Sequence, residues 1–156
     1  MHVNRPVLEA RVRGVNRANA FANELYPKLV ALFAPHIGQK ILKADGTLLA
    51  KIQKLVDDLG VLGRHEPHVY RYNSPYSLVY TVKTCEDCNG HAYYYETSVY
   101  VAHLDNGVLT GLYDQDLRQT NYSADKVIAA REAYEKAKKA ADEAQSALHP
   151  FGEYDR

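Results

Sequence analysis

The sequence predicts an α+β domain: a four-stranded antiparallel β-meander packed against N-terminal helices and a long C-terminal helix. Three observations predict it. Apolar residues recur at helical spacing towards both ends of the chain. Four alternating runs rich in tyrosine and valine lie between them, and Asn-Gly pairs at Asn89-Gly90 and Asn106-Gly107 separate the later runs. Asn-Gly between alternating runs is the strongest short-range hairpin signal, because both residues accept positive φ. At 156 residues, 46% apolar and 24% charged, one domain over 1–156 is expected, with a core that needs no staples.

The first helical pattern covers about 5–34. Leu8, Val15, Ala22 and Leu29 repeat every seven residues, with Ala18, Leu25 and Leu32 beside them. Pro27 is expected to kink this run or restart it, since a proline inside a helix removes one ladder bond and constrains Tyr26. A second helix, about 47–59, places Leu48, Leu49, Ile52, Leu55, Val56 and Leu59 on one face and stops at Gly60. The last helix, about 124–148, starts at Ser123, an N-cap, with Asp125 in its first turn. Its seam of Val127, Ala130, Tyr134, Ala137, Ala141, Ala144 and Leu148 is a heptad of small knobs. Such a seam suits packing on the first helix or on a second copy in a homodimer.

The sheet spans about 67–114. Two-residue turns at both Asn-Gly pairs set Cys88 opposite His91, Lys83 opposite Glu96, Thr81 opposite Ser98, Val79 opposite Tyr100, and Leu78 opposite Val101. The second turn sets Val101 beside Leu112 and Tyr100 beside Tyr113. A four-residue connection at "NSPY" would bring Tyr70 to Val79 and Val69 to Tyr80. Alternation then sorts the side chains. Val69, Leu78, Tyr80, Val82, Tyr95, Val99, Val101 and Leu112 face the core. His68, Tyr70, Tyr72, Val79, Thr81, Lys83, Tyr94, Glu96, Ser98, Tyr100 and Tyr113 face the other way.

That second face is the candidate binding site. Ten of the thirteen tyrosines fall between residues 70 and 122. A phenol pairs a large apolar ring with a hydroxyl and loses little entropy on binding, which suits interfaces. The expected binding residues are Tyr70, Tyr72, Tyr94, Tyr100, Tyr113 and Lys83, and the expected partner is a protein or a second copy. A nucleotide or small metabolite is another ligand class such a face could hold. RNA-binding sheets use aromatics similarly but add positive charge. Residues 65–122 instead carry three Lys/Arg against seven Asp/Glu, while residues 1–64 carry ten against five. With a net charge of zero, nucleic acid is not the expected main partner. Arg5, Arg11, Arg13 and Arg17 on the first helix are the phosphate-contacting candidates of that reading, although Glu9 can pair with Arg13 within the helix.

Cys85-x-x-Cys88 followed by Gly90 has the spacing of half a zinc site. With His91 and His65 it would make a tetrad of Cys85, Cys88, His65 and His91, supporting a zinc-stabilised nucleic-acid module. This competes with the hairpin: a knuckle turns at Glu86-Asp87, whereas the Asn-Gly turn sends the two cysteines to opposite faces.

No other constellation assembles chemistry. "HEPH" is not the metalloprotease motif, and the chain has no nucleophile elbow, phosphate loop or dinucleotide fingerprint. Asp114 with Asp116, and His103 with Asp105, read as ordinary surface. No enzyme activity and no cofactor beyond zinc is therefore expected. "LVALFA" is too short to span a bilayer, and "MHVNRPVLEA" shows no export core, so the cytoplasm is the expected location. A compact chain of this kind suits an accessory or inhibitory protein of a phage or mobile element.

Overall fold

Asn4 opens the first helix, its side-chain oxygen accepting the Val7 N–H at 3.3 Å. The computed structural model describes residues 3–62, 67–114 and 116–154. It falls into two compact units, one ending at Asn121 and the other starting at Tyr122, where a single domain is the sequence expectation.

In the first unit, helix α1 (Arg5–Phe33) continues through Pro27 without a break. Proline inside a helix costs about 3 kcal/mol. Burial of Leu25, Leu29 and Phe33 on either side of it offsets that at roughly 1.5–3 kcal/mol per side chain. The buried stripe is Ala10, Gly14, Ala18, Ala22, Leu25, Leu29 and Phe33, so the expected heptad members Leu8 and Val15 lie half-buried at its flank. Small residues in its first half let the helix sink onto the sheet. Thr84, itself buried, donates its hydroxyl to the Gly14 carbonyl at 2.9 Å.

Helix α2 (Ala50–Asp57) is shorter than its apolar pattern. Leu48 belongs instead to a bridge with Leu42, across a turn at Asp45-Gly46 in which Asp45 accepts from the Thr47 N–H at 3.0 Å. Hydrogen bonding thus takes Leu48 and Leu49 out of the helix while leaving Ile52 and Val56 buried.

The sheet is a meander in the order β1-β2-β3-β4, with β1 at His68–Asn73, β2 at Ser77–Cys88, β3 at His91–Asp105 and β4 at Val108–Leu112. Both Asn-Gly pairs turn with positive φ at each residue, 54° and 81° at Asn89-Gly90 and 49° and 80° at Asn106-Gly107. The pairs Cys88–His91, Lys83–Glu96, Thr81–Ser98 and Val79–Tyr100 are as the two-residue turn requires.

Three registers differ from expectation. Between Leu78 and Val79 the ladder shifts, so Leu78 meets Ala102 and Val101 is the extra residue of a bulge. A second shift, between His103 and Leu104, makes Thr110 the extra residue of β4, so Ala102 rather than Val101 pairs with Leu112. The β1–β2 connection is also tighter than four residues. Ser74 donates its N–H to the Ser77 carbonyl at 3.0 Å, and its hydroxyl accepts from the Ser77 N–H at 3.1 Å. Tyr72, not Tyr70, consequently meets Val79, and Val69 meets Val82. That slip is two residues, an even number, so no side chain changes face.

Leu78, Tyr80, Val82, Val99, Val101 and Leu109 bury against α1 and α2, with the rings of Phe33 and Tyr80 6.4 Å apart. Residues 38–42 then run along the outer side of β4. Gly38 donates to the Leu109 carbonyl at 2.7 Å and Ile41 to the Gly107 carbonyl at 2.8 Å.

The second unit is helix α3 (Ala124–Leu148), capped by Ser123, whose hydroxyl accepts the Lys126 N–H at 3.2 Å. A 3-10 turn, His149–Tyr154, follows. The seam residues Ala130, Tyr134, Ala137, Ala141, Ala144 and Leu148 are all exposed.

Candidate binding surface

The alternation of β1, β2 and β3 places His68, Tyr70 and Tyr72, then Val79, Thr81 and Lys83, then Tyr94, Glu96, Ser98 and Tyr100 on one face of the sheet. The rings there are exposed, Tyr72 at 62%, Tyr94 at 63% and Tyr100 at 52%, whereas Val79 between Tyr72 and Tyr100 is only 4% exposed. Rings therefore stand over a dry floor made by the middle strand. Tyr76, in the β1–β2 turn, is exposed beside this face.

Contacts hold several of these rings. Lys83 Nζ sits 4.6 Å from the Tyr94 ring centre and 3.9 Å from Glu96, a cation held between a π face and a carboxylate. His68 and Tyr70 lie 5.7 Å apart. Burial against the sheet, and then the Glu96 carboxylate, raise the Tyr70 phenol above its ordinary pKa.

Tyr113 differs from the others. It lies just past β4, donates its N–H to the Val101 carbonyl at 3.0 Å, and holds its hydroxyl 2.6 Å from Ser77 Oγ. Its carbonyl accepts the Tyr26 hydroxyl, and its ring packs 3.8 Å from His103 and 5.6 Å, edge-on, from Tyr100. Burial, then the nearby Asp114 charge, raise the Tyr26 phenol. Tyr113 is thus a strut that positions Tyr100, with less ring free for a partner than the sequence implied.

Arg118 carries no local signal in the sequence. Its guanidinium donates to the Ser98 carbonyl, while its backbone exchanges two hydrogen bonds with the Asn23 side chain, at 2.8 and 2.9 Å. Asn19 holds the next carbonyl at 2.9 Å. Contacts about a hundred residues apart in the chain leave no periodicity or motif by which to find them.

The arginines of α1 are not brought together as a phosphate-binding row. Arg5 pairs with Glu9 at 3.0 Å, Arg13 and Arg17 reach Glu86 at 3.5 and 2.6 Å, and Arg11 lies over the Tyr93 ring. Glu86, not Glu9, is therefore the partner of Arg13.

The cysteine segment reverses at Asn89-Gly90 and stays extended through Glu86-Asp87. Cys88 faces His91 and Cys85 faces Tyr94, three residues apart on a regular strand and so on opposite faces. Neither thiol is in a disulfide. Among the described residues no three His, Cys, Asp or Glu side chains gather as a metal site; His65 lies outside the described residues. No helix among them is long and apolar enough to cross a membrane.

Comparison with protein-family models, with curated proteins and with solved structures finds no match.

Proposed function

We propose that this is a non-enzymatic binding protein whose open sheet face engages a protein partner, with Tyr72, Tyr94 and Tyr100 as the ring anchors and Lys83 as the charged contact. One observation carries the reading: large rings stand exposed above a buried strand, Val79 and Thr81 being nearly inaccessible beneath them. Rings on a sheet are pre-organised, so a partner that covers them loses little entropy in ordering the surface. Lys83 between Tyr94 and Glu96 adds a polar rim. The charge pattern favours protein over nucleic acid, because the carboxylates outnumber the cations along the strands and two of the helix arginines are engaged by Glu86. A role as an accessory or inhibitory protein fits a chain of this size that acts by covering another surface.

The test is partner capture from the native host with the wild-type chain and with Tyr72→Ala/Tyr100→Ala. Both side chains are mostly exposed, so the double variant should keep its thermal midpoint within about 2 °C and lose the captured protein. A variant that melts well below the wild type, or retains the partner in full, overturns the assignment.

A further inference from the structure

The outer edge of β3 is open over residues 92–98, where β4 no longer covers it. A two-residue turn with positive φ at both positions closes on a hydrogen-bonded pair, here Cys88 and His91. Tyr93, Tyr95, Thr97 and Val99 then bond inward to β2, and Ala92, Tyr94, Glu96 and Ser98 turn their N–H and C=O groups outward. Strand β4 covers β3 only from Ala102 to Asp105, and residues 38–42 cover β4 in turn. Beyond that point, among the described residues, the Val101 carbonyl takes the Tyr113 N–H and the Ser98 carbonyl is met by the Arg118 guanidinium. The outward groups of Ala92, Tyr94 and Glu96 have no protein partner there. Open edges are normally blunted by lysine, proline or bulges; this one reads "AYYYETS" and contains none of the three.

A groove runs beside this edge. Its walls are Ala10, Arg11, Gly14 and Val15 of α1 and the Ala92–Tyr95 stretch of β3, and its volume is about 590 Å³. The close seating of α1 at Gly14 sets it: a Cβ there would come within 3.3 Å of Thr84 Oγ1. An unpaired strand edge alongside a helix can accept one more strand, the backbone supplying affinity and alternate side chains supplying selectivity.

We propose that β3 residues 92–98 are a docking edge for an extended acidic segment of a protein partner, which adds as a further strand in the groove beside α1. The charge on the groove side selects acid. Arg11 lines the groove and rests 5.4 Å from the Tyr93 ring centre with no carboxylate partner among the described residues, while Arg13 and Arg17 turn to Glu86 of β2. Asp87 and Glu96 belong to the opposite face by alternation. A second copy is a poor occupant: two-fold pairing of β3 with itself would set two α1 helices side by side, with Arg11 facing Arg11. This edge is distinct from the exposed rings of the open face, and its recognition is of backbone, so it stands or falls independently of Tyr72 and Tyr100.

The experiment titrates the full chain with two labelled peptides, one alternating valine with glutamate and one alternating valine with lysine. The glutamate peptide should bind at least roughly tenfold more tightly, and Arg11→Glu should remove that preference. Ala92→Pro deletes an outward N–H that no ladder bond uses, so it should keep the fold and weaken binding at least roughly tenfold, while Ala92→Ser, which keeps the N–H, should bind within about threefold of wild type. Should Ala92→Pro fail to fold, amide exchange on the wild type decides: the glutamate peptide must slow exchange at Ala92, Tyr94 and Glu96. Equal loss in Ala92→Ser and Ala92→Pro, no binding of the glutamate peptide, or protection of these amides by self-association without peptide would each overturn the proposal. Retention of glutamate-peptide binding by Tyr72→Ala/Tyr100→Ala is expected, and its loss would sink the independence of the two surfaces.

Discussion

Replacing Gly107 by alanine should be far more damaging than replacing Gly90, although both sit second in an Asn-Gly turn with nearly equal φ, 80° and 81°. An alanine held at such φ costs roughly 1 kcal/mol at either site. At Gly90 nothing lies within 4 Å of the added Cβ, so the backbone cost is the whole cost. At Gly107 the Cβ would stand 2.8 Å from the Leu42 carbonyl oxygen. That backbone cannot step aside cheaply, because Ile41 and Leu42 donate to the Gly107 carbonyl at 2.8 and 3.2 Å. Losing these two bonds adds about 1 kcal/mol each, for a total of roughly 3 kcal/mol. In a unit of this size each kcal/mol moves the melting midpoint by roughly 3–5 °C. Thermal and urea unfolding followed by circular dichroism should therefore place Gly90→Ala about 4 °C and Gly107→Ala about 12 °C below the wild type. Equal losses would refute the close approach of residues 38–42 to β4, and with it the claim that the fold closes that edge and leaves β3 open.

Tyr80 is 2% exposed, and its hydroxyl has no hydrogen-bond partner among the described residues. Burial pushes its phenol well above the ordinary value, while an unfolded tyrosine ionises near pH 10. Its contribution to stability is thus complete below about pH 10 and is lost as pH rises towards the folded value. Tyr80→Phe should flatten that alkaline loss in urea midpoints and stabilise the protein at pH 7 by up to about 1 kcal/mol; a destabilisation of that size would mean the hydroxyl is bonded. In α3, exposed Tyr134 sits mid-seam, so sedimentation should show a concentration-dependent dimer that Tyr134→Glu abolishes. A wild-type chain that stays monomeric at every concentration would remove self-association through that seam.

Much of the sheet was legible in the chain alone. Asn89-Gly90 and Asn106-Gly107 take positive φ at both residues, which local sterics demand wherever the flanking runs pair, and alternation then assigns faces to β2 and to β3 as far as Tyr100. Ser123 caps α3 for an equally local reason. The β1–β2 slip was invisible because a four-residue and a two-residue connection differ by an even shift that leaves both faces intact. Other features depend on atoms far away in sequence. Pro27 stays helical because its neighbours bury, Leu48 leaves its helix to pair with Leu42, and Val101 bulges where Leu78 meets Ala102. Arg13 and Arg17 turn to Glu86 rather than outward, and Arg118 reaches Ser98. The same division holds for the two surfaces. Which rings share a face follows from a period of two. Which rings stay exposed, and which edge stays open, was decided only when distant segments packed, because burial and strand pairing belong to the assembled fold and not to any stretch of it.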